Sequence, residues 1–259
     1  MSAGEIVSAA EILAGSGAAG WFADKLLGPS AQALGEQIKI YATDRIRKIV
    51  GKAAEKVDQA KIRPLPPGFA VIFFQRASFS EDEATLTDMW ANLLASAGTS
   101  YSNRHAAYVE ILSQLTGADA LALSDFVPLE TIYHPQMTRA VNLRLELLRS
   151  LAKSIKNVSE TEEEARQELD RLFNYKFNWP GRVTSGRVYF KGIDHDRVIT
   201  GGTGDHLGSI DNLVRLGLIE KFDVSNSLSQ YDVAVEGILV TMLGVGFIQT
   251  CRGQVLVIE

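Results

Sequence analysis

From Ser80 to Phe126 the apolar positions recur at helical spacing. In the stretch SEDEATLTDMWANLLASAG, Leu86, Met89, Trp90, Leu93, Leu94 and Ala97 fall at alternating steps of three and one, a single stripe on a 3.6-residue helix. Ser80, with Glu83 three places on and Glu81 and Asp82 between them, reads as a capping box that starts this helix beside the positive end of its dipole. The following stretch repeats the stripe with Tyr108, Ile111, Leu112 and Leu115, then restarts after a cap at Thr116. The segment predicts two or three helices that bury their apolar faces against one another.

On either side the helical periodicity continues. Residues 3 to 27 form a small-residue helix carrying Ile6, Ala9, Ala10 and Leu13, then Trp21, Phe22, Leu26 and Leu27. Ser30 to Lys61 predicts a long amphipathic helix on Leu34, Ile38, Tyr41, Ile46, Ile49, Ala53, Val57 and Ala60. Arg63-Pro-Leu-Pro-Pro-Gly68 cannot continue it, because proline removes the backbone donor and clashes with the preceding turn. The apolar run Phe69 to Phe79 reads as a buried helix with Pro66 or Pro67 in its first turn. Met137 to Val158 predicts another long helix, and Ser159 with Glu162 caps a charged one that ends near Phe173.

After Tyr175 the texture changes to short strand-prone runs between glycines. Arg187 to Lys191, followed by a turn at Ile193 to Arg197, suggests a small hairpin. Asp205 to Glu220 gives a short helix closed by Gly217, Tyr231 to Leu243 a strand, and Gly244 to Cys251 a short helix. With Ala118 to Phe126 as an earlier helix, this is the order of a winged helix. The fold class expected is mainly α: a multi-helix N-terminal and central bundle with a small α+β winged-helix-like C-terminal part. Three regions are expected: a helical N-terminal arm over 1–63, a central helical core over 64–180, and a Gly-rich hairpin with the winged-helix-like part over 181–259, packing with 104–126.

Composition narrows the function. The 259 residues carry a net charge of −5, and the pI is near 5.5, which argues against a general nucleic-acid binder. The single Cys251 excludes an intrachain disulfide and a multi-cysteine zinc site, which favours a reducing interior. Glu5 and Glu11 interrupt any signal-peptide pattern, so the cytoplasm is expected, with peripheral contact at the inner membrane as an extension.

The polar face of the second helix is basic: Lys39, Arg45, Arg47, Lys48, Lys52 and Lys56 outnumber the acids around them. It reads either as a solvated helix face or, through Arg45, Arg47, Lys48, Lys52 and Lys56, as a face for an anionic partner such as a lipid surface. The first helix reads either as an ordinary close-packed element or as a self-association or membrane contact through Ile6, Leu13, Gly15, Gly17, Gly20, Trp21, Phe22 and Leu26. Glu11 and Asp24 break it as a conventional span. The glycine pattern at Gly15, Gly17 and Gly20 lacks the preceding strand of a dinucleotide site. His195 between Asp194 and Asp196 reads as an exposed turn, and the acids 160 to 164 as a helix start, so neither is a metal site. No catalytic residue, cofactor, metal or small-molecule substrate is expected. In the recognition-helix position only Arg215 is basic, while Asp205 and Asp211 would oppose phosphates, so nucleic acid is a poor partner.

Several runs together resemble the bacterial abortive infection alpha (Abi-alpha) family. They are Leu27-Gly-Pro29 with Leu34-Gly35, the Pro66-Pro67 break, Glu81-Asp-Glu83, Trp90-Ala-Asn-Leu-Leu-Ala95, Leu112-Ser-Gln-Leu115 with Asp119-Ala120, Ile210 to Ile219, and Thr241 to Gly244 with Phe247 and Cys251. They span residues 27 to 251. Of these, Trp90, Leu93, Leu94, Asp119, Asn212, Leu213, Leu216 and Gly217 are the expected family core. The resemblance implies phage defence or self-protection and supplies no catalytic residue; the Arg182 to Gly204 region departs from it. The expectation is a non-enzymatic defence or immunity protein that acts by contact with a partner, with copies of itself as a homo-oligomer, or with a membrane surface. The alternative is a winged-helix transcriptional regulator that binds DNA.

Overall fold

The structure, a computed structural model, describes residues 18–27, 44–126, 181–190, 197–202, 207–227 and 231–252. Helices α1 (Ala18–Leu27), α2 (Asp44–Glu55), α3 (Pro67–Phe79), α4 (Ala84–Ser100), α5 (Asn103–Leu112) and α6 (Gly117–Phe126) come first. Strands β1 (Gly181–Phe190) and β2 (Arg197–Gly202), helix α7 (Leu207–Arg215), strands β3 (Ile219–Ser227) and β4 (Tyr231–Val240), and helix α8 (Met242–Arg252) complete the order. The fold is therefore mainly helical with a small antiparallel sheet near the C-terminus. The chain forms two compact units whose boundaries fall inside α6, after Leu121, and inside α8, after Val245.

In the first unit α4 carries the core. Leu86, Met89, Trp90, Leu93, Leu94 and Ala97 are all buried, as a stripe of this period should be when other helices surround it. Trp90 meets Phe73 edge to face, with centroids 5.2 Å apart, and Phe73 meets Phe74 the same way at 5.4 Å. Pro67 opens α3 at the first helical position, where its missing N–H costs nothing. From α1, Phe22, Leu26 and Leu27 are buried, and Leu26 lies so close to Gly98 that an added Cβ there would sit 2.7 Å from its Cδ2. The proline-rich link is strapped down as well: Arg63 N–H donates to the Gly98 carbonyl at 2.8 Å and Leu65 N–H to the Leu26 carbonyl at 2.7 Å. At the end of α8, the Asn92 amide donates to the Cys251 carbonyl at 2.8 Å, and Phe247 meets Tyr108 edge to face.

Helix boundaries in the first unit differ from the sequence reading. Ser80 does not begin α4; it ends α3, and the helix begins at Ala84 with Glu83 as its cap, accepting from the Leu86 N–H at 2.9 Å. The second helix ends at Glu55, short of Lys61, and Asp58 caps a separate 3-10 turn at Gln59–Lys61. The part of that helix before Asp44, and the helices expected from Met137 to Phe173, lie outside the described residues.

The second unit holds a sheet of order β2-β1-β4-β3, antiparallel throughout, so the β3-β4 hairpin is widened by a second hairpin into four strands. β1 pairs with β2 in the expected hairpin, and its register against β4 slips between Val183 and Ser185. β4 stops at Val240, earlier than the strand expected to Leu243, because Thr241 is used as a cap. Helix α7 ends in a Schellman motif: Leu218 N–H donates to Leu213 O at 3.0 Å, Gly217 N–H to Val214 O at 2.9 Å, and Gly217 takes a φ of +71°. Leu213 and Leu218, the pair this motif brings together, are both buried. Thr241 locks the joint. Its hydroxyl donates to the Gly217 carbonyl at 2.6 Å and accepts from the Gly244 N–H at 3.0 Å, capping α8, while its own N–H donates to Leu218 O. A Cβ at Gly244 would run into the Leu218 carbonyl.

Candidate functional site

Amphipathicity explains why α2 presents a basic side: Ile46, Ile49, Val50, Ala53 and Ala54 are buried, so the Lys and Arg between them must lie at the edge or outside. The side is not one continuous cationic face. Lys48 pairs with Asp82 at 3.2 Å, Lys52 with Asp88 at 2.6 Å, and Arg47 with Asp44 at 2.7 Å. Lys56 is exposed. Arg45 must be taken out of the set: at 7% exposure it is buried, and its NH2 donates to Ser80 Oγ at 3.2 Å. Its Nε and NH1 are buried without a hydrogen-bond partner. Burial lowers its pKa from the ordinary value, while the nearby carboxylates of Asp82, Glu81 and Glu83 oppose that shift.

Of the first-helix candidates, Ile6, Leu13, Gly15 and Gly17 lie outside the described residues. Gly20 is in α1, and Trp21 is partly exposed and meets Phe22 edge to face at 5.8 Å. Phe22 and Leu26 do not offer a contact surface, because both are spent on the interior of the first unit. No helix among the described residues is long and apolar enough to cross a membrane.

The family-type core residues occupy joints. Trp90, Leu93, Leu94 and Leu213 are buried, while Asn212, Leu216 and Gly217 are partly exposed around the end of α7. Trp90 Nε1 donates to Ser80 Oγ at 3.1 Å, the same oxygen that Arg45 reaches. Asp119, a buried acid, accepts from the Thr116 N–H at 2.9 Å, and its own N–H donates to Thr116 Oγ1 at 3.2 Å, a reciprocal cap on α6. The Glu81 carboxylate accepts from the Gly117 N–H at 2.9 Å, placing a negative charge at the positive end of that helix. Asn212 Oδ1 accepts from Arg215 NH2 at 2.7 Å, and Lys221 pairs with Asp211 at 2.6 Å, so both cations near α7 already have local acceptors.

One arrangement has the outline of a nucleophile with its base. Ser96 Oγ lies 3.1 Å from Nε2 of the buried His105. The ring's other nitrogen, Nδ1, lies 3.0 Å from the Ser102 backbone N–H, which can only donate, and 3.1 Å from the Ser102 carbonyl, which can only accept, so either tautomer finds a partner there. In both tautomers Nδ1 is held by atoms of Ser102, and among the described residues no carboxylate bonds the ring from behind, so the Ser96–His105 pair lacks the third group that orients a base toward its nucleophile. Burial also lowers the His105 pKa, partly offset by its bond to Ser102, so the neutral ring persists. His105 is a helix cap, a role that its position three residues after Ser102 makes readable. Cys251 is equally inert: burial raises its thiol pKa well above the ordinary value and withholds the thiolate. Among the described residues no three His, Cys, Asp or Glu side chains come together to hold a metal. His195 lies outside the described residues.

A feature that periodicity missed lies across α3 and α5. Arg76 and Glu110 form a two-point ion pair, 3.1 Å at NH2 to Oε2 and 3.3 Å at Nε to Oε1. With Phe79, Ser113 and Gln114 they line an open pocket of about 290 Å³. Phe79 is 79% exposed, an uncommon state for so large an apolar side chain. The sequence signal was that Phe79 closes an otherwise apolar run after the polar Gln75, Arg76 and Ser78. Against known proteins, the family model for abortive infection alpha matches residues 39–251. No curated protein and no solved structure matches the chain.

Proposed function

Since the chain belongs to the abortive infection alpha family, and with it to abortive-infection-type phage defence, we propose that it acts by contact with copies of itself or with another protein, and not by catalysis. The observation that carries this reading is the commitment of the reactive-looking side chains to structure. His105 is tied through Nδ1 to Ser102 as a helix cap with no carboxylate bonded behind it among the described residues, Cys251 is kept as a buried thiol, and Asp119 and Glu83 cap helices. What the first unit presents outward instead is an exposed aromatic side chain beside a pocket. Attraction of α2 to an anionic membrane surface is weakened by the pairing of Lys48 and Lys52 with Asp82 and Asp88. The DNA-binding alternative draws no support from α7, whose neighbourhood offers Arg215 and Lys221 already engaged with Asn212 and Asp211.

The test is a phage challenge of bacteria expressing the protein. Infected cells should yield fewer infective centres than controls, and Ser96→Ala and Cys251→Ala should protect as the parent does once their expression is matched. Full loss of protection in a folded Ser96→Ala variant would revive an enzyme. Unchanged infective centres across a broad phage panel would remove the defence role of this chain.

A further inference from the structure

On the outer side of α3, Ile72, Arg76 and Phe79 follow one another at steps of four and three, so they stand in one row along the helix. Ile72 is 40% exposed and Phe79 far more, so the row is apolar at both ends with a cation between them. The neighbouring helix α5 contributes Glu110, and Ser113 and Gln114 follow it, closing the other side of the pocket. Gln114 Nε2 donates to the Glu110 carbonyl at 3.1 Å and Ser113 Oγ to the same carbonyl at 2.8 Å, which fixes that wall.

The face thus holds a projecting ring and, directly beside it, a hole with room for a ring. A knob and a hole adjacent on one surface fit each other across a two-fold axis, where each copy supplies both. The charges have the same symmetry. Arg76 and Glu110 are side by side and cancel, so the face does not repel a copy of itself, and a two-fold lets Arg76 of each copy approach Glu110 of the other. A lipid surface or a nucleic acid would need a surplus of cations here, whereas the Arg76 charge on this face is matched by Glu110. A single exposed aromatic seated in a pocket is the usual anchor of a protein contact.

We propose that the α3–α5 face is a self-complementary contact between two copies of this chain, in which Phe79 of each enters the pocket walled by Arg76 and Glu110 of the other. This rests on the contact-based reading of the protein's function and names its partner as a second copy.

Sedimentation of the purified full chain over a dilution series measures it. The parent should be a dimer that dissociates on dilution, and Phe79→Asp should raise its dissociation constant by about tenfold or more while melting as the parent does. Charge reversal provides a second variant pair. Arg76→Glu makes the face wholly acidic and Glu110→Arg wholly basic, so each alone should dimerise more weakly, yet the two mixed should form a heterodimer in preference to either homodimer. A parent that stays monomeric at every concentration, or a dimer that Phe79→Asp leaves intact, overturns the proposal. So does an equal mixture of the charge variants that shows no preference for the heterodimer, or a parent that binds another protein at this face without self-association. If Phe79→Asp abolishes the dimer but leaves phage protection whole, the contact stands and the contact-based reading of function falls instead.

Discussion

The centre of the first unit and the joint of the second are both tightly closed, but by different means. Around Trp90 closure comes from bulk: large apolar side chains on α3 and α4 meet edge to face and leave one indole N–H to be satisfied by Ser80. At the α7–β3–α8 joint it comes from the main chain: Gly217 turns left-handed, Thr241 bridges two backbone groups, and Gly244 leaves the space that the Leu218 carbonyl occupies. A side-chain core can relax around a loss, whereas a backbone joint cannot relax around a gain. The two should therefore fail in opposite directions.

Removing bulk should cost most in the first unit. Trp90→Ala should destabilise it by about 3–5 kcal/mol, as deletions of large aromatic residues from a core do. Trp90→Phe, which keeps most of the volume and loses the bond to Ser80, should cost clearly less. Denaturant melts of both variants check this; equal melting of Trp90→Ala and the parent would show that bulk is not what closes the first unit.

Adding bulk should be the sharper test of the second. Gly244→Ala should cost about 1–3 kcal/mol, the range for overpacking, toward the upper end because the obstructing atom is a backbone oxygen. Hydrogen exchange should locate the damage at the amides of Gly217, Leu218, Thr241 and Gly244. Protection of those amides at the parent's level would place the closure elsewhere.

The smallest effect separates the two by pH. His105 in the first unit has a folded pKa below its ordinary 6.5, because burial disfavours the charged ring. The unfolded chain therefore takes up a proton first as pH falls. The stability linked to this residue is complete above about pH 6.5 and is lost progressively as pH drops from there toward the folded pKa. His105→Gln keeps an acceptor for the Ser102 N–H but does not titrate. Subtracting its pH–stability curve from the parent's should leave a decline that begins near pH 6.5, and a flat difference would mean that the ring is protonated as readily in the fold as outside it.

What the sequence disclosed follows the same division. The stripe on α4, proline at the start of α3 and Gly217 after α7 were readable because each is a local rule: a period, a fixed φ, a left-handed stop. The role of Ser80 was misread because a serine three residues before a glutamate satisfies the capping pattern whether or not the helix starts there; Glu83 took the cap and Ser80 became an acceptor for Trp90 and Arg45. Arg45 was placed with its charged neighbours since helical phase alone cannot tell an edge position that the next loop covers from one left open. The bond from Asn92 to Cys251 joins residues 159 apart in sequence, and the pairing of β1 with β4 is similarly long-range, so no local pattern could announce either. The pocket beside Phe79 arises only when α3 and α5 are brought together, which is a property of packing and not of either helix.

The four residues between α3 and α4 each have a separate task. Ser80 receives Trp90 and Arg45, Glu81 caps α6, Asp82 meets Lys48, and Glu83 caps α4 while its side chain fills the space that a Cβ on Gly117 would need. Such a loop behaves like a key whose teeth fit different pins, so its length matters as much as its letters. Inserting or deleting a single residue would shift every tooth at once, and this short, solvent-facing connection should tolerate indels no better than the interior of a helix.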